Sequence, residues 1–253
     1  MRILLCNDDG IHAPGLAALV EEIKKMAEVN VVAPAREQSA IGHAITMSDP
    51  LRAEEYHKNG EFFGWAVNGT PADCIKLALF APLVELPDMV ISGINSGSNT
   101  GINTIYSGTV SAATEGRIYD LHSFAISLTS YTSRNFGPAA RFAARLALKM
   151  KDFELPKGVF FNVNVPDLPE EEIKGVRITR QGQAVYREIF HRRSDPKGRV
   201  YFWMDGERGV EADDPSIDER AVRSGYISIT PIQYDLTHYP SLNKIADQTD
   251  SLF

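Results

Sequence analysis

The chain predicts an α/β fold: a mainly parallel sheet with flanking helices, extended by a β-hairpin in its C-terminal part. Two observations carry that reading. From residue 1 to about 150, short apolar runs alternate with stretches of helical periodicity, the pattern of βαβ units. After residue 158 the alternation fades, and two runs flank a turn-rich connection as the arms of a hairpin do.

The elements follow in order. Ile3-Leu4-Leu5-Cys6 is an apolar first strand. Leu16, Leu19, Val20, Ile23 and Met26 then recur at helical spacing, with Glu21, Glu22, Lys24 and Lys25 on the other face. Val29 to Ala33 is the second strand. Thr70 announces a helix as its cap, Pro71 takes the first helical position and Asp73 lies in the first turn, followed by Cys74, Ile75, Ala78 and Leu79. Met89-Val90-Ile91 is a strand, Ser107 to Ala113 opens a helix, Phe124 to Leu128 is a strand, and Pro138 to Met150 is an alanine-rich helix.

Beyond these, Val159 to Val165 reads as a strand ended by Pro166. Val185 to Arg192 and Val200 to Met204 flank Ser194-Asp195-Pro196-Lys197-Gly198. Apolar side chains fall on both faces of this ribbon, Val185 and Ile189 on one, Tyr186 and Phe190 on the other, with Phe202 and Trp203 likewise opposed. A two-stranded ribbon is marginal alone, so both faces need cover, from another subunit or from the chain's own domain. Glu211 to Glu219 has the composition of a metal loop, but its Pro215 and its spacing fit no calcium-loop pattern, and a solvated loop is expected there. Tyr226 to Ile232 is the last strand, and Ser241 to Phe253 is too short to be a domain. No internal repeat or low-complexity segment is evident.

With 253 residues the chain can bury a substantial core, and 43% hydrophobic with 23% charged residues is the composition of a globular protein. A net charge of -7 argues against a general nucleic-acid binder, since phosphate-backbone affinity depends on Lys and Arg. The N-terminus is too early-charged for a signal peptide and no apolar run approaches membrane-spanning length, so a cytoplasmic protein without a membrane partner is expected. The two cysteines, Cys6 and Cys74, lie in apolar runs without redox spacing and read as small buried residues. Six scattered histidines form no zinc motif; His12 and His43, near the acidic and Ser39 loops, are outer groups of a site or solvated loop residues.

The candidate site begins with Asn7-Asp8-Asp9-Gly10, directly after the first strand. Ligands of open α/β sheets bind outside the carboxyl ends of the strands, and adjacent carboxylates repel unless a cation or proton relieves them. Taken alone, either Asp can cap the next helix or shape a turn with Gly10. Two further strand ends repeat the arrangement: Pro34-Ala35-Arg36-Glu37-Gln38-Ser39, and Ser92-Gly93-Ile94-Asn95-Ser96-Gly97. Asp8, Asp9, Ser39 and Asn95 can together supply the oxygen donors a hard divalent cation prefers. The Gly-rich stretch from Gly93 to Gly108 runs into the helix start at Ser107-Gly108-Thr109, where backbone N–H groups and two hydroxyls suit a phosphate. It lacks the Gly-Lys-Ser/Thr of a Walker loop, and no Gly-x-Gly-x-x-Gly follows the first strand, so NTPase and dinucleotide readings fall.

Together with Asn68-Gly69-Thr70-Pro71-Ala72-Asp73-Cys74, these motifs resemble the SurE survival-protein family of nucleotidases, over nearly the whole chain and with no departure at the motif positions. The resemblance implies a single domain over 1–253, with a Rossmann-like core over 1–150 and late strands, a protruding hairpin at about 185–204 and a tail over 151–253. It implies one divalent cation per subunit, Mg²⁺ or Mn²⁺, held by Asp8, Asp9, Ser39 and Asn95. It also implies release of phosphate from nucleoside 5′-monophosphates, with 3′-monophosphates and short polyphosphate as further substrates, and a homodimer or homotetramer in which the hairpin and C-terminal segment cross between subunits.

On that reading a metal-activated water attacks the phosphorus in line, Asp8 and Asp9 are the catalytic carboxylates, and Ser107, Gly108 and Thr109 hold the phosphate. An aspartyl-phosphate route is disfavoured because the acids are adjacent rather than alternate. A non-catalytic nucleotide sensor would use the same groups and stays open. No base-recognition motif is identifiable.

Overall fold

The computed structural model describes residues 1–209 and 213–249. Its strands and helices run β1 (Arg2–Cys6), α1 (Pro14–Ile23), β2 (Glu28–Pro34), β3 (Ala53–Lys58), β4 (Glu61–Val67), α2 (Pro71–Phe80), β5 (Met89–Ser96), α3 (Gly108–Ile118), β6 (His122–Leu128), α4 (Gly137–Met150) and β7 (Val159–Val165). There follow β8 (Val176–Ile178), β9 (Tyr186–Ser194), β10 (Val200–Arg208), α5 (Asp218–Arg223), β11 (Ile227–Gln233) and α6 (Leu242–Thr249).

Nine strands form one sheet in the order β3-β4-β2-β1-β5-β6-β7-β11-β8. The six-strand centre from β4 to β7 is parallel throughout, and the antiparallel pairings are β3 on β4 and β11 on β7. The predicted α/β class with a mainly parallel sheet is thus the observed one. The alternation of side chains along β1 explains the layering. Ile3 and Leu5 enter a core shared with α1 and α4, whereas Leu4 and Cys6 point to the opposite face, into a core with Cys74, Ile75 and Ala78 of α2 and Ala112 of α3.

From β1 the chain builds outward through β2 and β4 on one side, and through β5, β6 and β7 on the other. The reversal of strand order therefore falls between β1 and β5, and a crevice opens there at the carboxyl ends. Backbone bonds fix its walls: Ile11 N–H donates to Pro34 O at 2.8 Å and Gln38 N–H to Asp8 O at 2.8 Å, tying the loop after β1 to the loop after β2.

Several elements differ from the sequence expectation. The hairpin β3–β4 is not among the expected elements, although Asn59-Gly60 at its turn is the strongest short hairpin signal, and both residues have positive φ, 55° and 86°. The strand at Met89 continues to Ser96 rather than ending at Ile91, and the Gly-rich loop contains a 3₁₀ turn over Gly101–Tyr106. The capping signal at Thr70 holds in full: its hydroxyl accepts from Asp73 N–H at 3.1 Å and Asp73 accepts from Thr70 N–H at 2.9 Å.

The acidic stretch is not a solvated loop throughout. Glu211 and Ala212 lie outside the described residues, but Asp218 opens α5, is fully buried, and accepts from Gly101 N–H at 2.8 Å and Gly182 N–H at 3.1 Å. Burial suits a carboxylate that is paid in backbone donors. The hairpin β9–β10 is present in nine-residue register, and Ile189, Phe190, Phe202 and Trp203 stay 43–62% exposed, so the chain's own domain does not cover it. The tail ends in α6, with Leu242 and Ile245 exposed; residues 250–253 lie outside the described residues. Among the described residues no helix is long and apolar enough to cross a membrane.

Candidate active site

A cavity of about 860 Å³ occupies the crevice at the strand-order reversal. Its wall includes Asp8 and Asp9 from the loop after β1, Ser39 from the loop after β2, Asn95 at the end of β5, and Ser107 at the cap of α3. Four segments far apart in the chain thus bring the predicted cation ligands and the first predicted phosphate residue to one place.

Asp8 accepts the Thr109 hydroxyl through Oδ1, Asp9 accepts Ser96 N–H through Oδ2 at 3.0 Å, and both carboxylates border the cavity. Asn95 Nδ2 donates to Gly97 O at 2.7 Å, which leaves its Oδ1 as the group for a ligand. Ser39 Oγ donates to Glu37.

Burial raises the Asp8 carboxyl above its usual range, against the pull of hydrogen bonds from Thr109. Asp9 is pushed up to about 6, first by burial and then by the Asp8 charge beside it. Two crowded carboxylates, an amide oxygen and a hydroxyl form an all-oxygen donor set that fits a hard divalent cation. Among the described residues no group of three or more His, Cys, Asp or Glu is assembled for a metal, so thiolate and imidazole metal centres have no counterpart here.

Ser107 serves twice. Its hydroxyl caps α3 by accepting Val110 N–H at 3.1 Å, as an ordinary cap would, and it also borders the cavity. Gly108 follows at the first helical position because nothing larger fits: a Cβ there would stand 2.8 Å from Asp8 Cβ and 3.1 Å from Pro71 Cγ. Thr109 is fully buried and does not line the cavity, and its hydroxyl donates to Asp8. His12 stacks edge-on against Tyr56 at 4.5 Å between ring centroids, and His43 Nε2 pairs with Glu115 at 2.7 Å; neither lines the cavity. Cys6 and Cys74 are buried free thiols, as expected.

Sequence reasoning missed Glu37, Tyr131 and Arg134, which also line the wall. Glu37 sits inside a motif already singled out. Tyr131 and Arg134 follow the end of β6 at Leu128 by three and six residues, so the strand-end rule that found the other loops would have reached them.

Fold and site together define a Rossmann-like α/β protein with an oxygen-lined cavity at the switch point of its sheet. The chain belongs to the SurE family: the model described as Survival protein SurE matches residues 3–188. A protein of Syntrophobacter fumaroxidans named 5'-nucleotidase SurE is 48% identical over 97% of this chain and 98% of its own. One of Syntrophus aciditrophicus with the same name is 51% identical over 96% of this chain and 92% of its own. The crystal structure of the SurE protein from Aquifex aeolicus superposes with a TM-score of 0.85 at 38% identity, covering 99% of this chain and all of that one.

Proposed function

We propose that the chain is a 5′-nucleotidase, a divalent-metal-dependent phosphomonoesterase that splits nucleoside 5′-monophosphates into nucleoside and phosphate. The observation that carries this reading is the meeting of Asp8, Asp9, Ser39 and Asn95 on one cavity wall with the cap of α3. The names printed for its relatives point the same way. One Mg²⁺ or Mn²⁺ per subunit would be held by those four residues, and when bound it supplies polarisation of a phosphoryl oxygen and activation of an attacking water.

The chain's own groups do the rest. Ser107 and the N–H groups at the start of α3 from Gly108 hold the phosphate at the positive end of the helix dipole. Asp8 is held in place by Thr109, and Asp9, steadied by Ser96 N–H, keeps an oxygen for the cation or for orienting the water. Activity toward 3′-monophosphates and short polyphosphate belongs to the same proposal, as do a single domain over 1–253 and a cytoplasmic setting. So does a homodimer or homotetramer built through the exposed hairpin β9–β10.

The test is inorganic phosphate release from a panel of nucleoside 5′- and 3′-monophosphates, first with EDTA and then with Mg²⁺ or Mn²⁺ restored. Release that stops with EDTA and returns with metal is the expected result. Folded protein that binds nucleotide but releases no phosphate under either metal would make it a sensor instead.

A further inference from the structure

We propose that Tyr131 is the stacking platform for the substrate's nucleobase, with purines preferred, an inference that rests on the nucleotidase reading above. The cavity is far larger than a phosphate needs, and its acidic end accounts for the phosphate and cation alone. Tyr131 is 77% exposed and yet lines this cavity. What singles it out among exposed aromatics is how the ring is seated. It lies on the backbone of Gly97, where a Cβ would stand 2.3 Å from the ring carbon Cε1. Gly97 also has φ of +109°, so the position favours glycine twice over.

The same residue ties the ring to the chemistry, because Gly97 O accepts Asn95 Nδ2 at 2.7 Å. The platform therefore sits one residue's backbone away from a proposed cation ligand. Its loop is held at the root: Thr129 N–H donates to Val165 O at 3.0 Å and Ser133 N–H to Ser130 Oγ at 3.2 Å. Gly97 backs part of the ring and Tyr131 borders the cavity, so a base can stack without the loop first being ordered. Base-on-aromatic stacking tolerates any base because every base has a π-face. The larger purine overlaps the ring more, which sets the preference.

The experiment compares AMP, UMP and ribose 5-phosphate as substrates for the wild type, Tyr131→Ala and Tyr131→Phe. Expected is a fall of about tenfold in kcat/KM for AMP with Tyr131→Ala, carried by KM, a smaller fall for UMP, and none for ribose 5-phosphate. Tyr131→Phe keeps the ring and should restore the wild-type ratios. An equal fall for AMP and ribose 5-phosphate, or no fall for either, overturns the platform. If the wild type hydrolyses none of the three, the nucleotidase reading fails, and calorimetric titration with AMP and ribose 5-phosphate in EDTA decides the platform separately. There, weaker AMP binding by Tyr131→Ala alone supports it, and equal binding by both proteins overturns it.

Discussion

Thr109 and Asp8 stand 101 residues apart in the chain, and the Thr109 hydroxyl donates to Asp8 Oδ1 with both side chains buried. This bond joins the first turn of α3 to the loop after β1, and so fixes the proposed phosphate seat relative to the proposed cation ligands. It also offsets part of the burial that pushes the Asp8 carboxyl toward protonation.

Thr109→Val keeps the shape and removes the donor. Groups that orient a ligating carboxylate are worth on the order of 10–100-fold in metal affinity or activity, so kcat/KM should fall by that much, with Mg²⁺ or Mn²⁺ affinity measured by calorimetry falling in step. Thr109→Ser, which retains the hydroxyl, should recover most of it. Full activity in the valine variant would separate the bond from function.

Gly108→Ala is the second test. Alanine is the better helix former by about 1 kcal/mol, and on propensity alone the change should stabilise α3. The Cβ, however, would stand 2.8 Å from Asp8 Cβ, so either the helix start or the acidic loop must shift. Overpacking of this kind costs about 1–3 kcal/mol, and urea unfolding should show a net loss together with weakened phosphate release. A net gain in stability would remove the close approach from the account of the site.

The proposed cation ligands were legible because Asp8 and Asp9 follow the first apolar run almost at once, while Ser39 and Asn95 lie within a few residues of the next two apolar runs, where sequence alone marks a strand. Thr109 was visible as a residue of the α3 start but not as a partner of Asp8, since that pairing exists only once β1 and β5 are neighbours in the sheet. Asp218 was hidden for a similar reason. Its surroundings read as acidic and solvated, and only the fold brings the N–H groups of Gly101 and Gly182 to it. The β3–β4 hairpin is a different case, for Asn59-Gly60 announced it, but Glu54, Glu55 and Lys58 blur the apolar pattern that periodicity looks for.

The hairpin gives the third test. Phe202 and Trp203 are 58% and 61% exposed, neighbours in β10 that face opposite sides of the ribbon. Phe202→Ser with Trp203→Ser should leave the monomer fold intact by circular dichroism, because neither side chain packs in the core, and should shift the mass by light scattering toward a monomer at micromolar concentration. An unchanged oligomer, or a monomeric wild type, would take the hairpin out of the proposed assembly.

Glu115 on α3 gives the last, through pH. Its carboxylate is buried and receives His43 at 2.7 Å, which latches the Ser39 loop onto α3, and pairs with Lys76 of α2 at 2.8 Å; Gly42 N–H to Tyr106 O at 2.9 Å and Thr46 N–H to Asp73 at 3.0 Å complete the loop's attachment. Burial works to raise the Glu115 pKa, but the bonds from His43 and Lys76 outweigh it and hold the group below its ordinary 4.5. A depressed carboxylate binds fewer protons folded than unfolded. Its stabilisation is therefore present above pH 4.5 and is lost as pH falls through the lower folded value. Glu115→Gln should cost about 1–2 kcal/mol at pH 7, discounted because both partners are about a third exposed, and the gap to wild type should close as urea unfolding is repeated below pH 4.5. A gap that stays constant from pH 7 to pH 3 would mean that the charge on Glu115 contributes nothing to the latch.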